Sequence, residues 1–149
     1  MFGLIKDHSG NPLEDQLKLW RRIVFDYVLG NTDAHIKNFS MSYSYDLGEK
    51  RLSPAYDMIS TVIYEAATRE MSFNIGGKKL LDEIKKDDFR VMASQVGIGE
   101  KIAMNVFEDV LNGFENSIRE SAGELTSLGF VNAMDISDRI LFARRKILD

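Results

Sequence analysis

The 149-residue sequence has no cysteine, only two prolines and no long apolar run. Without cysteine there are no disulfide bonds, no thiol catalysis and no cysteine-ligated zinc or iron–sulfur sites, which fits a reducing compartment. Two prolines exclude collagen-like and proline-rich linker sequences. A membrane-spanning helix needs about 20 apolar residues, and no apolar run of the sequence approaches that length. The residues that follow Met1 are too polar for a secretory signal peptide. These absences predict a cytoplasmic protein with no membrane partner.

Positive charge is also scarce. Lysine and arginine number 19 against 23 acidic residues, a formal net charge of −4. Nucleic-acid binding needs a positive face, so we expect no direct nucleic-acid partner. The apolar fraction of 44% and the charged fraction of 28% are close to globular averages. We therefore expect one domain over residues 1–149, with a core of its own.

The sequence pattern divides this domain into three parts. Residues 1–12 are predicted to be an arm or loop, because turn-forming residues cluster at His8–Pro12. Residues 13–86 combine a helix, a polar catalytic loop and a hairpin, and residues 87–149 form a helical bundle. The predicted fold class is mainly α with a small β-hairpin element (α+β).

The first predicted helix runs from Leu13 to Leu29, and Gly30 is placed to end it. Its apolar residues recur at spacings of three and four. The stripe consists of Leu13, Leu17, Trp20, Val24, Tyr27 and Val28. The charged side chains Lys18, Arg21, Arg22 and Asp26 fall largely outside this stripe. The stripe predicts the face of the helix that packs in the core.

Two segments alternate between large apolar and small polar residues, which is typical of strands. The first is 39–45, and a short return strand near 51–53, ended by Pro54, completes a hairpin. The second is 71–75, broken by two glycines. The segment 62–64 is ambiguous.

Three helices are predicted after residue 86. The first begins with Asp87 as N-cap, the second runs over 100–122 and the third over 135–148. Their predicted core positions are Phe89, Met92, Ala93, Val96, Ile102, Val106, Val110, Phe114, Ile118, Ile136, Ile140, Ala143 and Ile147. The basic residues 144–146 are placed in the last turn, where they complement the helix dipole.

The polar loop after the first helix carries the residue types needed for phosphoryl transfer. Asp33 is followed five residues later by Asn38, and Asp57 comes after the predicted hairpin. In phosphoryl transfer, one carboxylate orients or deprotonates the attacking hydroxyl, while an amide oxygen and a second carboxylate hold Mg²⁺ against the nucleotide phosphates. The hairpin would bring Asn38 and Asp57 side by side.

The segments Gly30–Ser40 and Leu52–Ser60 together resemble the C-terminal lobe of HipA-type serine/threonine kinases, which are toxins of a bacterial type II toxin–antitoxin system. The resemblance implies a kinase-like C-lobe helical bundle. It implies that Asp33 is the catalytic residue that accepts the proton of the substrate hydroxyl, and that Asn38 and Asp57 are Mg²⁺ ligands.

The resemblance also implies ATP as cofactor beside Mg²⁺. His35 and Lys37 would lie in the loop that meets the ATP phosphates, and Asn38, Tyr56 and Asp57 would complete the nucleotide site. The partner implied is a protein substrate, with an aminoacyl-tRNA synthetase as the type of target. An antitoxin or an N-lobe protein is a further expected partner.

A kinase also needs a glycine-rich phosphate loop and a strand lysine, which precede the catalytic loop. Most of the 32 residues before Asp33 form one predicted helix, so the sequence predicts a C-lobe with the N-lobe absent, inactive as a fragment. One alternative is a non-catalytic half-kinase that binds an N-lobe or antitoxin protein. A second is a small hydrolase with a transition metal on Asp33, His35 and Asp57.

Overall fold

Helices dominate the computed structural model, which describes residues 1–148. The elements are α1 (Phe2–His8), α2 (Pro12–Leu29), β1 (Met41–Tyr43), β2 (Lys50–Leu52), β3 (Glu70–Ile75), β4 (Lys78–Leu80), α3 (Lys86–Val96), α4 (Glu100–Ser127) and α5 (Ala133–Leu148). Each pair of strands forms its own antiparallel hairpin. This architecture confirms the predicted fold class of mainly α with small β elements. Across the described residues, every helix is too short or too polar to cross a bilayer.

Helix α2 lies at the centre of the molecule and packs against α1, α4 and α5. Asn11 caps its start by accepting a hydrogen bond from the backbone N–H of Glu14 at 3.3 Å, and Pro12 occupies its first turn. Gly30 ends the helix in the left-handed conformation, with φ +74°. These bounds agree with the predicted helix, but Leu13 is 70% exposed and does not join the core.

The core is built around aromatic side chains that α2, α3 and α4 contribute. Phe89 contacts Trp20, Tyr27 and Phe107, with ring centroids 4.8–6.0 Å apart. The indole N–H of Trp20 donates to the carbonyl of Ala103 at 2.9 Å, so the polar atom of this fully buried side chain is satisfied. These contacts fix α2 against the helices that follow the hairpins.

The predicted arm at residues 1–12 is wrong in its secondary structure, because residues 2–8 form helix α1. Ile5 on this helix is fully buried, and α1 packs on α2. The turn-forming residues still break the chain between α1 and α2, but they lie only at the end of the segment. Tertiary burial of a short apolar face decides the outcome here.

Three details of the later helices also differ from expectation. Helix α3 begins at Lys86, and Asp88 accepts the backbone N–H of Lys85 at 2.7 Å, so Asp87 is not the N-cap. Ile102 is 50% exposed and Ile136 is 43% exposed. In α4 the buried positions include Ala103, Phe107, Val110 and Phe114, and this phase turns Ile102 away from the core.

Arg144 on α5 is buried rather than solvated at a helix end. It is 3% exposed, its Nε donates to the carbonyl of Val28 at 3.0 Å, and its Nη2 donates to the carbonyl of Tyr27 at 2.8 Å. These carbonyls belong to the last turn of α2. The Tyr27 carbonyl also accepts the N–H of Gly30 at 3.1 Å, whereas Arg144 gives the Val28 carbonyl a donor that the ended helix does not provide. Burial lowers the pKa of Arg144. Helix α5 thereby closes the end of α2.

The first hairpin is shorter than predicted, since β1 and β2 have three residues each. Met41 pairs with Leu52, and Tyr43 pairs with Lys50. The backbone N–H of Leu52 donates to Asp15 of α2 at 2.8 Å, which ties the hairpin to the central helix. The second hairpin adds strand β4, which the sequence pattern does not predict, after a turn at the two expected glycines.

Candidate functional site

The loop between α2 and β1 is anchored at its start by side chains from two later segments. The Oγ1 of Thr61 accepts the backbone N–H of Thr32 at 2.9 Å and donates to the carbonyl of Gly30 at 2.9 Å. The Oγ of Ser72, on β3, donates to the carbonyl of Thr32 at 2.8 Å. Because these groups are polar and largely enclosed, their pairing holds the loop in one conformation.

Asp33 has a restrained backbone and an exposed side chain. Its N–H donates to Oδ1 of Asn31 at 3.2 Å, and Nδ2 of Asn31 donates to Oδ1 of Asp26 at 2.8 Å. Its carbonyl accepts the N–H of His35 at 2.7 Å. The carboxylate of Asp33 is therefore presented to solvent from a fixed backbone.

Asn38 and Asp57 lie side by side, as expected from the hairpin between them. Asn38 ends a short 3-10 turn, Ile36–Asn38, and is 4% exposed. Its Nδ2 donates to Oδ2 of Asp57 at 3.0 Å and to the carbonyl of Asp33 at 3.4 Å. Asp57 is exposed and has a φ of +55°, a strained conformation for a residue other than glycine. Asn38 thus connects the other two residues of the predicted set.

Arg22 joins the two segments that carry Asn38 and Asp57. It is 7% exposed, and its Nη2 donates to the carbonyl of Asn38 at 2.7 Å and to the carbonyl of Tyr56 at 2.8 Å. Its guanidinium carbon lies 4.2 Å from the centroid of the Phe39 ring. Arg22 lies outside the predicted core stripe of α2, and the stripe does not predict this role. An available signal was the Arg–Asp pair at spacing i, i+4, formed with Asp26.

Asp26 is a fully buried carboxyl group behind the loop. Its Oδ1 accepts from Asn31, but its Oδ2 has no hydrogen-bond partner within residues 1–148 and lies 4.0 Å from Nε of Arg22. Burial raises the pKa of Asp26 to about 6, against the opposing effects of the Asn31 hydrogen bond and the Arg22 charge. One oxygen of this buried carboxyl group, which supports the loop through Asn31, is therefore left without a hydrogen bond in the described residues.

Three other residues were predicted to contact the nucleotide. Their side chains form no hydrogen bond with Asn38 or Asp57 within residues 1–148. His35 is partly buried, lines a cavity of about 320 Å³, and its Nδ1 has no partner in the described part of the chain. Lys37 is exposed, and its carbonyl accepts the hydroxyl of Tyr56 at 3.1 Å. Tyr56 is 43% exposed. Their backbones belong to the same two segments as Asn38 and Asp57.

The donor set fits Mg²⁺ better than a transition metal. Both hydrogen bonds of the Asn38 side chain use Nδ2, so its amide oxygen is without a hydrogen-bond partner among residues 1–148 and is an oxygen donor available to a cation. Mg²⁺ is commonly held by one or two carboxylates together with substrate phosphates and water. In residues 1–148, three or more His, Asp or Glu side chains do not gather into a metal cluster. Within those residues, Asp33, His35 and Asp57, the side chains of the alternative hydrolase, are therefore not grouped as one metal site.

Comparison with known proteins places the chain in a family. Residues 1–118 match the model of the HipA-like C-terminal domain. Two Sinorhizobium fredii proteins (strain NBRC 101917 / NGR234) are similar in sequence. "Putative kinase Y4mE" is 40% identical over 98 residues, 66% of this chain, and "Putative kinase Y4dM" is 31% identical over 129 residues, 76% of this chain. The chain therefore belongs to the HipA-like C-terminal domain family, whose relatives carry kinase names, and the predicted resemblance is confirmed.

A solved structure has the same fold. It is described as the Shewanella oneidensis MR-1 toxin–antitoxin system HipA, HipB and its operator DNA complex, and the match has a TM-score of 0.78 at 17% identity. It covers 99% of this chain and 33% of that chain. The chain likewise spans 23% of Y4mE and 31% of Y4dM. This chain corresponds to about a quarter to a third of the proteins it resembles.

Proposed function

We propose that the chain supplies the catalytic C-terminal lobe of a HipA-type protein serine/threonine kinase that transfers phosphate from Mg-ATP to a Ser or Thr hydroxyl. The observation that carries the proposal is the contact between Asn38 and Asp57, which are 19 residues apart in sequence and 3.0 Å apart in space. Asn38 also touches the backbone of Asp33. One amide side chain thus connects three residues of the types that phosphoryl transfer uses.

Asp33 is the proposed catalytic residue. Its carboxylate accepts the proton of the substrate hydroxyl as the oxygen attacks, and it orients that hydroxyl before the reaction. Its exposed position supports access by a protein substrate, and the hydrogen bonds of its N–H and carbonyl hold the backbone that carries the carboxylate. Positioning of this kind is a main source of rate in phosphoryl transfer.

Asn38 and Asp57 are the residues that would hold Mg²⁺. When bound, Mg²⁺ neutralises charge on the phosphate oxygens and orients them for transfer. Asn38 contributes its free amide oxygen, and Asp57 contributes its exposed carboxylate. Asp57 adopts the left-handed backbone conformation, which costs free energy for any residue other than glycine. Such strained residues cluster at functional sites, which supports a role for Asp57 in the site.

His35, Lys37 and Tyr56 are proposed to contact the nucleotide. His35 has an unpartnered Nδ1, and Lys37 has an exposed ammonium group suited to phosphate. The Tyr56 hydroxyl, bonded to the Lys37 carbonyl, keeps the two segments together. The bound protein substrate is proposed to be of the aminoacyl-tRNA synthetase type, and an antitoxin protein is the proposed partner, by analogy with the HipA–HipB complex that shares the fold.

The rest of the machinery is proposed to lie in the portion of the longer relatives that this chain does not match. A glycine-rich phosphate loop and a strand lysine are needed to hold ATP, and residues 1–149 contain no segment of that pattern. We accordingly expect residues 1–149 alone not to turn over ATP.

The proposal is tested by phosphate transfer from γ-labelled ATP, measured on the longest polypeptide that contains this chain in its gene. Asp33→Asn and Asp57→Asn should each lower transfer by about 100-fold or more, because general acid–base catalysis and charge neutralisation are worth at least that much. Asp135→Asn is the matched control, since Asp135 is an exposed carboxylate at the start of α5. Wild-type transfer by Asp33→Asn would show that the catalytic assignment is wrong.

A second candidate is a non-catalytic half-kinase that docks an N-lobe or antitoxin protein. It is favoured by apolar side chains exposed around the loop, among them Ile36 at 64% and Tyr43 at 57%, since exposed apolar patches mark interaction sites. This candidate predicts no measurable ATP affinity for residues 1–149. Micromolar binding of Mg-ATP to this chain in isothermal titration would exclude it.

A further inference from the structure

Arg22 connects two parts of the chain that are far apart in sequence. The carbonyl of Asn38 lies 16 residues after it, and the carbonyl of Tyr56 lies 34 residues after it. A single nitrogen, Nη2, donates to both oxygens, at 2.7 Å and 2.8 Å. The first carbonyl belongs to one proposed Mg²⁺ ligand, and the second belongs to the residue before Asp57, the other. One side chain therefore fixes the backbone of both.

The hairpin between these residues is too small to do this alone. Strands β1 and β2 pair over three residues each, and an isolated two-stranded hairpin is at best marginally stable in water. Asn38 and Asp57 also lie outside the paired strands, where the ladder no longer constrains the backbone. A second constraint is required to keep their side chains within 3.0 Å of each other.

The guanidinium group is itself held in place from several directions. Its central carbon lies 4.2 Å from the ring centroid of Phe39 and 5.5 Å from that of Tyr56. The buried carboxylate of Asp26 lies 4.0 Å from its Nε. A planar cation that stacks on aromatic faces while donating in fixed directions is a property of arginine and not of lysine. This environment supports a positioning role that depends on the shape of the group as well as its charge.

We propose that Arg22 is a positioning residue that sets the spacing of Asn38 and Asp57 and thereby the affinity of the site for a divalent cation. The inference rests on the proposed function, because it concerns the same cation site. Arg22 itself contacts neither the cation nor the substrate; it acts through the two carbonyl groups. Substitution of residues that orient ligands commonly weakens metal binding by about 10–100-fold.

The test is a titration of the isotope-labelled 149-residue chain with Mn²⁺, a paramagnetic stand-in for Mg²⁺, followed by NMR line broadening at the Asn38 and Asp57 amides. Arg22→Met should raise the apparent Mn²⁺ dissociation constant by about tenfold or more. Arg22→Lys should recover only part of the affinity, since lysine supplies the charge without the stacked, planar geometry. Arg21→Met is the matched control, because Arg21 is half exposed and forms its ion pair with Asp109 on α4, at 3.6 Å.

General loss of stability is separated from loss of positioning by a core variant. Phe107→Leu lowers stability at a residue that is 4% exposed and remote from the site, and it should leave the Mn²⁺ affinity within about twofold. If Phe107→Leu weakens Mn²⁺ binding as much as Arg22→Met does, the positioning inference is overturned. If Arg22→Met does not fold, Arg22→Lys decides, and wild-type affinity in that variant overturns the inference.

The same titration distinguishes this inference from the proposed function. Asp57→Asn removes one proposed ligand and should abolish the broadening at Asn38. Broadening that persists in Asp57→Asn, or that is absent in the wild-type chain, would contradict the proposed cation site and the inference with it. Loss in Asp57→Asn together with unchanged affinity in Arg22→Met would leave the cation site standing and reject the role of Arg22.

Discussion

Replacing Asp26 by Asn should stabilise the protein at neutral pH and have far less effect in acid. Asp26 is fully buried, and one of its two carboxylate oxygens has no hydrogen-bond partner among residues 1–148. Asparagine has nearly the same shape, carries no charge, and keeps an oxygen that can accept the hydrogen bond from Asn31. The substitution therefore removes the cost of burying a carboxylate, and it also removes the negative charge that lies 4.0 Å from Nε of Arg22.

The size of the effect follows from the pKa of Asp26. Burial raises that pKa to about 6 from the ordinary 3.8, and each tenfold change in proton affinity corresponds to about 1.4 kcal/mol. The ionised carboxylate thus costs the folded state about 3 kcal/mol once both the folded and the unfolded chain have lost the proton. The charge of Arg22 already reduces this cost, because its attraction is one of the influences that lower the same pKa.

The direction with pH is fixed by which state loses its proton first. Well below the unfolded pKa of 3.8 the carboxyl is protonated in both states and there is no penalty. As the pH rises from about 4 to about 6, the unfolded chain ionises first, so its free energy falls relative to that of the folded chain. The contribution of Asp26 to the free energy of unfolding therefore decreases across this window and stays low above about pH 7.

The measurement is urea unfolding followed by circular dichroism, on wild type and Asp26→Asn, at several pH values from 4.5 to 7.5. Other carboxylates titrate in both proteins, so the difference between the two isolates Asp26. We expect the variant to gain up to about 3 kcal/mol relative to wild type as the pH rises. A difference that is independent of pH, or that grows toward acid, would refute the burial argument.

Asp15, on the same helix, is a control for Asp26 because its pKa is shifted in the opposite direction. It is also fully buried, and burial alone would raise its pKa, but hydrogen bonds from Arg51, Ser9 and the Leu52 N–H outweigh burial and hold the pKa below its ordinary value. Its stabilisation is present above the unfolded pKa and is lost as the pH falls through the folded one. Asp15→Asn should therefore destabilise the protein throughout pH 4.5–7.5, with a deficit that shrinks only in stronger acid.

Further predictions concern the end of α2, and urea unfolding measures all of them. Gly30→Ala should cost about 2–4 kcal/mol, because φ is +74° and a Cβ would lie 2.4 Å from Val62 Cγ2. Gly123→Ala, in open space on α4, should instead raise the free energy of unfolding by about 0.5–1 kcal/mol. If Gly30→Ala and Gly123→Ala change stability in the same direction, the argument from backbone conformation is wrong. Arg144→Met should cost about 1–3 kcal/mol, because the Val28 carbonyl loses its donor while the Tyr27 carbonyl keeps the N–H of Gly30. Arg145→Met, at an exposed neighbour, should stay within about 0.5 kcal/mol, and equal losses would refute the capping role of Arg144.

The central helix and the first hairpin were predictable because their signals are local. An apolar stripe and a C-terminal glycine define α2, and alternation followed by Pro54 defines the hairpin. Once the hairpin is known, topology brings the segments that carry Asn38 and Asp57 to the same end of it, although the Arg22 hydrogen bonds to both segments do not follow from topology. The part of the site that depends only on the reversal of the chain at the hairpin could therefore be predicted from the sequence.

The parts that escaped prediction depend on burial of residues that look polar or irregular. Arg22 and Asp26 fall outside the apolar stripe, yet both lie in the interior because the loop and the Tyr56 segment fold over that side of α2. Helix α1 forms through the burial of Ile5, a contact that no local pattern encodes. Ile102 has an apolar side chain and a helical position, but the phase of α4 is set by its neighbours in the core.

The junction of α5 with α2 has a consequence for how the protein is made. Arg144 and Tyr27, whose carbonyl it binds, are 117 residues apart in sequence. During synthesis, the turn between α2 and Asp33 therefore leaves the ribosome long before Arg144, which binds the end of α2, is added to the chain. Contacts this distant form late and slow the search for the native state. The nascent polypeptide therefore carries the end of α2 without the Arg144 hydrogen bonds until α5 has been synthesised.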